Sequence, residues 1–142
     1  MIQERYRAAR GGVKVDVVVR GMCCLRPGVP GVSENIRVIS IIGRFLEHDR
    51  VMYFNNAGDA EVYISSADWM ERNLYRRVEL CAPVEDAELK KRIINELEYY
   101  LMDNSQAWLL NSDGSYTNLQ PSGDQEAFSA QQKFLEDLAD SA

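Results

Sequence analysis

The only histidine of the chain, His48, lies in Gly43-Arg44-Phe45-Leu46-Glu47-His48-Asp49-Arg50, with guanidinium groups at positions 44 and 50 and a carboxylate at position 49. An imidazole beside guanidinium groups can donate to a phosphoryl oxygen or pass a proton to a leaving oxygen. Taken alone, a single histidine is equally at home as a surface or core residue. A second candidate, Arg20, closes the apolar run at residues 13–19 and precedes the glycine- and proline-rich stretch Gly21-Met22-Cys23-Cys24-Leu25-Arg26-Pro27-Gly28-Val29-Pro30-Gly31-Val32-Ser33-Glu34-Asn35. A cation at a strand end before such a loop is how an α/β protein presents charge to a phosphorylated ligand. On a buried strand it is also costly, so Arg20 is expected to meet an anion or to pair with Glu34, Glu47 or Asp68. The loop has neither the glycine spacing of a dinucleotide fingerprint nor the Gly-Lys-Ser/Thr ending of a Walker loop. Its glycines serve sharp turns or bring backbone amides up to a phosphate.

A third group, Ser65-Ser66-Ala67-Asp68-Trp69, leaves an apolar segment and could direct hydroxyls and a carboxylate to the edge that carries His48. Its bland alternative is a helix cap followed by packing of Trp69. Among the nearby cations, Arg77 opens a predicted strand and is the one expected to point into a site, with Arg50 as a further phosphate-binding candidate. Arg72 and Arg76 are expected to be solvated.

The elements that must position these residues are read from periodicity. Residues 2–10 read as a helix stopped by Gly11-Gly12, and residues 13–19 as a buried β-branched strand. Helix, tight turn and strand look like the second half of a βαβ unit, so the chain is expected to begin inside a domain. Strands are predicted at 36–42, 51–54, 61–64 and 77–81, with a helical turn at 44–47 and a turn at 55–58. Asp86 caps a helix running to about residue 103, whose stripe of Leu89, Ile93, Leu97, Tyr100 and Leu101 is read as core. Residues 107–110 and 116–119 form a hairpin, and Ser122 with Gln125 has capping-box spacing before a terminal helix. One domain is expected over residues 1–142, with a C-terminal helix over 120–142.

Composition bounds the function. An apolar share of 46% in 142 residues suffices for a two-layer core. No apolar run approaches the roughly 20 residues of a membrane span, and the start has no signal-peptide pattern, which makes the cytoplasm the expected setting. Three cysteines, two of them adjacent, do not make a disulfide framework, and with one histidine there is no zinc set. The thiols are expected to be buried and reduced. A net charge of −6 opposes nonspecific binding of nucleic acid. The charge is uneven: residues 1–50 carry nine Lys/Arg against five Asp/Glu, and residues 51–142 carry seven against seventeen. A local anion site can therefore coexist with an acidic exterior.

Residues 20–35, the continuous run Ile36-Arg37-Val38-Ile39-Ser40-Ile41-Ile42 into His48-Asp49-Arg50, and Val62-Tyr63-Ile64-Ser65-Ser66-Ala67-Asp68-Trp69-Met70-Glu71-Arg72-Asn73 together resemble the carboxy-terminal domain of bacterial polyphosphate kinase. The resemblance runs from about residue 2 to residue 108. It implies an α/β fold, a phospholipase-D-like mixed sheet flanked by helices, truncated on its N-terminal side and forming the second of two facing catalytic domains. It further implies transfer of the ATP γ-phosphate, through a phosphohistidine on the first domain, to polyphosphate, with Mg2+ offsetting charge and its ligands outside this chain. Arg20 then matches an arginine that binds nucleotide phosphate. His48 matches a histidine that contacts the transferring phosphoryl group and acts as acid or base. The implied partners are ATP/ADP, polyphosphate, the preceding domains of the same polypeptide and further copies in a homo-oligomer; the implied location is the cytoplasm, including the inner membrane face. Two other readings stand beside this one. A phospholipase-D-type phosphodiesterase or nuclease would carry His-x-Lys and an aspartate five residues later, where this chain has Arg50 and Asn55. A noncatalytic anion-binding module would keep the fold without the chemistry.

Overall fold

The apolar run at residues 36–41 lacks polar alternation because both of its faces are covered. In a computed structural model, which describes residues 1–140, it forms β2 (Ile36–Ile41). This strand lies inside a four-stranded sheet ordered β1-β2-β6-β7, with β1 at Val15–Val18, β6 at Ala107–Leu110 and β7 at Tyr116–Asn118. Ile36 and Val38 enter one apolar cluster with Ala9, Leu25 and Leu110, and Ile39 and Ile41 enter another with Tyr100, Ala107 and Ala130. β1 and β2 are parallel and the other pairs antiparallel, so the sheet is mixed as expected.

A parallel pair needs a long crossover, and residues 19–35 supply it as a folded loop without a helix. Leu25 is buried in the first cluster. Ser33, also buried, donates to the Arg26 carbonyl at 2.7 Å and accepts from the Val29 amide at 3.1 Å. The amides of Gly28, Val32 and Ser33 donate to loop carbonyls, and that of Gly31 to the Glu34 carboxylate. Gly28 and Gly31 take left-handed φ values of +67° and +70°. These glycines therefore make turns, and the amides they expose are engaged inside the loop.

The chain divides into two compact units, residues 1–47 with 99–142, and residues 48–98. In the first unit α1 (Ile2–Arg10) packs Ile2, Tyr6 and Ala9 against the first cluster. Gly12, at φ +88°, makes the left-handed turn after it. β1 is shorter and less buried than predicted, because the Val13 amide is tied back to Ala8 and pairing begins at Val15. Arg20 is correspondingly exposed, contrary to the expectation of a cation on a buried strand.

α3 (Ala87–Met102) begins where Asp86 accepts the Leu89 amide at 2.9 Å, as predicted. Its stripe is only partly core: Tyr100 is buried, whereas Leu89 is exposed. Asp103 comes next, 1% exposed, and accepts the amides of Ser105, Gln106 and Ala107 on Oδ1 and of Ala130 on Oδ2. It thus ends α3, starts β6 and caps α4 (Ala130–Asp140), where the Ser129 hydroxyl also accepts the Gln132 amide. Ser122 and Gln125 do interact, yet no helix starts there. The cap supplied by Asp103 and Ser129 sets the start at Ala130, ten residues later than position 120, and residues 141–142 lie outside the described residues.

The second unit holds a separate antiparallel sheet ordered β3-β4-β5 (Val51–Phe54, Glu61–Ser65, Cys81–Pro83), together with α2 (Glu71–Arg76) and the first part of α3. The predicted strand at 77–81 is displaced: β4 pairs with residues 81–83, and Arg77 ends α2. Residues 78–80 are held instead through the Ser66 hydroxyl, which accepts the Leu80 amide, and the Leu80 carbonyl, which accepts the Ser66 amide. Cys24 and Cys81 are exposed and Cys23 half-buried, so the expectation of three buried thiols fails.

Asp103→Ala would leave four amides without their acceptor, three of them at the start of β6 and one at the start of α4. The expected loss is about 3 kcal/mol of stability, measured by urea denaturation and compared with Asp113→Ala in the exposed hairpin turn.

Candidate functional site

The predicted helical turn at 44–47 is absent; Arg44 and Phe45 form a bend, and Leu46 and Glu47 have no regular structure. A side chain has taken the place of the helical hydrogen bonds. Gln131 of α4, buried, accepts the Phe45 amide on Oε1 at 3.0 Å and donates from Nε2 to the Phe45 carbonyl at 2.8 Å. The same Nε2 donates to the Glu47 carboxylate at 2.6 Å, and the Tyr100 hydroxyl donates to it at 2.5 Å. Arg20 Nη1 donates to the Glu47 carbonyl at 3.1 Å. Of the partners weighed for Arg20, Glu47 is thus met, through its backbone. At Gly43 a Cβ would lie 2.4 Å from Gln131 Oε1 and 2.5 Å from Gln106 Oε1, so a larger residue would displace these two side chains. The result is a rigid anchor on the residue that immediately precedes His48.

His48 opens the second unit and is exposed. Two residues on, the Arg50 side chain turns back to it: Nη1 lies 2.8 Å from His48 Nδ1 and 2.8 Å from the His48 carbonyl. The other side of the guanidinium meets Asp68, Nε at 3.1 Å and Nη2 at 2.8 Å from Oδ1. Both side chains of this ion pair are mostly shielded, 18% and 24% exposed. The chain Asp68–Arg50–His48 brings together three residues that the sequence had singled out separately.

Beside it, Glu79 accepts from the Ser66 hydroxyl at 2.5 Å and from Asn73 Nδ2 at 2.7 Å. These two bonds, aided by the positive charges of Arg77 and Arg50, hold its carboxyl below the usual range. Ser66 therefore neither caps a helix nor lies free at an edge. It ties the start of the 66–80 connection to its end. Arg77 is exposed, as are Arg72 and Arg76, and Arg76 pairs with Glu71. Glu79, Gln131 and the positioning role of Glu47 escaped the sequence reading. Their partners are 6 to 86 residues away, and no helical or strand spacing announces such pairs.

Among the described residues no group of three or more His, Cys, Asp or Glu converges to hold a metal ion.

The family described as Polyphosphate kinase C-terminal domain 2 matches residues 1–131. A polyphosphate kinase of Pseudomonas aeruginosa is 60% identical over 139 residues, 98% of this chain and 20% of the relative. One from Thermosynechococcus vestitus is 58% identical over 121 residues, 85% of this chain and 16% of the relative. The crystal structure of polyphosphate kinase from Porphyromonas gingivalis superposes with a TM-score of 0.91 at 42% identity, over 99% of this chain and 22% of that one. The chain thus spans about one-fifth of the length of the curated relatives it matches.

This geometry has two measurable outcomes. Gly43→Ala displaces Gln131 from Phe45 and is expected to cost about 2 kcal/mol in urea denaturation. The depressed Glu79 carboxyl stabilises the fold above its unfolded value of about 4.3, and that contribution is lost as pH falls through the lower folded value. The protection factor of the Leu80 amide, its exchange rate relative to the intrinsic rate at the same pH, should therefore fall as pH drops through that lower folded value. Glu79→Gln should exchange faster at neutral pH and lose this acid dependence.

Proposed function

Since the chain belongs to the polyphosphate kinase C-terminal domain family, we propose that it is part of an enzyme that transfers the γ-phosphate of ATP to the end of a polyphosphate chain. The observation that carries this reading is the 60% identity to a polyphosphate kinase across 98% of the chain, a span that includes positions 20, 48 and 50. In this proposal the phosphoryl group travels through a phosphohistidine on a part of the polypeptide outside this chain. Arg20 binds a phosphate of the nucleotide, His48 contacts the phosphoryl group in transit, and exposed Arg77 adds positive charge. Phosphoryl transfer needs little covalent help from the protein beyond positioning and charge stabilisation, which a guanidinium and an imidazole supply. Magnesium enters only as the counter-ion of ATP and polyphosphate. The partners proposed are the preceding domains of the same polypeptide and further copies of it, in the cytoplasm or at the inner membrane face. No helix of the described residues is long and apolar enough to cross a membrane.

The phosphodiesterase reading lacks its His-x-Lys pattern, and the cation at position 50 is engaged with Asp68 and His48. The test uses ATP and magnesium. The 142-residue chain should acquire no phosphohistidine, and a polypeptide that contains it together with the remaining length of its relatives should make polyphosphate. His48→Ala or Arg20→Ala in that longer protein should lower the rate by about a hundredfold. Phosphorylation of His48 in the short chain, or unchanged synthesis in both variants, would refute the assignment.

A further inference from the structure

Residues 48 and 50 lie two apart in the irregular stretch that leads directly into β3. That spacing lets Arg50 fold back on His48 while Asp68, from beyond the end of β4, grips its far edge. A guanidinium has five N–H donors and no acceptor, so in the contact with His48 Nδ1 it must donate. Four of those donors are engaged, two with Asp68 Oδ1 and two with the His48 ring and carbonyl. Nδ1 consequently accepts and carries no proton, and the ring N–H of the neutral imidazole sits on Nε2.

We infer that Arg50 and Asp68 are positioning residues that lock His48 in its Nε2–H tautomer, so that His48 meets a phosphoryl oxygen as a hydrogen-bond donor and not as a base or nucleophile. The electron pair of Nδ1 is taken by Arg50. That of Nε2, when this atom bears the proton, belongs to the aromatic ring. Neither nitrogen is then available to attack phosphorus, which gives a physical reason for the covalent phosphate to reside on another histidine. The ion pair is mostly shielded from water, which preserves the bias, and the imidazole is exposed, which leaves its Nε2–H open to a ligand. A lysine at position 50 could donate to the ring but could not span ring, carbonyl and carboxylate with a planar fork.

The inference rests on the proposed kinase reading for the identity of the phosphoryl group, but its geometry is testable without any ligand. His48 is the only histidine, so the imidazole nitrogens of the 15N-labelled chain give one unambiguous set of correlations to the ring protons. Measured at alkaline pH, where the ring is neutral, the native chain should show the Nε2–H tautomer alone, in contrast to the mixture in N-acetylhistidine amide. Arg50→Gln and Asp68→Asn should move the tautomer ratio about tenfold towards that mixture, the effect of losing one charge-assisted hydrogen bond. A native chain with the reference ratio would overturn the inference, as would variants that keep the native ratio. If Arg50→Gln does not fold, the native spectrum against the reference and Asp68→Asn still decide. Because neither ATP nor polyphosphate is present, failure here leaves the kinase reading standing, and failure of the kinase assay leaves the tautomer assignment standing.

Discussion

One buried carboxylate organises the first unit. Asp103 accepts four backbone amides, three at the start of β6 and one at the start of α4, and thereby joins the end of a helix, a sheet strand and the last helix in a single contact. Removing a carboxylate from water is tolerable only when hydrogen bonds replace the lost hydration, and four N–H donors do so here. The N-terminus of α4 adds its own favourable dipole to the arrangement. The placement of the next side chain depends on this cap. With Ala130 pinned, Gln131 lies where its amide can pair with both backbone groups of Phe45 and with the Glu47 carboxylate.

Glu47 is the last residue of the first unit before the chain enters the second. Residues 43–47 have no regular secondary structure, and without tertiary bonds such a segment would sample many conformations at a cost in ordering entropy. Gln131, Tyr100 and Arg20 restrict it by separate hydrogen bonds, and the absence of a side chain at Gly43 leaves room for the ends of Gln131 and Gln106. Within the second unit, Arg50 and Asp68 orient the Nδ1 edge of the His48 ring by a different means. Inside that unit, an exposed histidine has one ring edge held by two side chains.

The glycine- and proline-rich loop has a structural role that its composition alone leaves open. Its length is that of a crossover between parallel strands, its glycines make left-handed turns, and Ser33 and Leu25 close it over the first apolar cluster. The amides of Gly28, Gly31, Val32 and Ser33 are bonded within it, so these turns hold the loop together.

Much of this was legible from sequence. The helices beginning at Ile2 and after Asp86, the strands at 36–41 and 51–54, and the hairpin of β6 and β7 announce themselves through local periodicity, capping and turn chemistry, which neighbouring residues determine. The chemical types at 20, 48, 50 and 68, and the family, were likewise in the residues themselves. The failures share one cause. The irregular course of 44–47, the shift of the fifth strand to Cys81–Pro83 and the late start of α4 were each decided by a side chain distant in sequence: Gln131, Ser66 and Asp103. Sequence determined which groups could do chemistry and which segments could be regular. Tertiary structure decided which backbone groups those segments would bond to and which nitrogen of His48 carries its proton, because both depend on partners that only folding brings within hydrogen-bond distance.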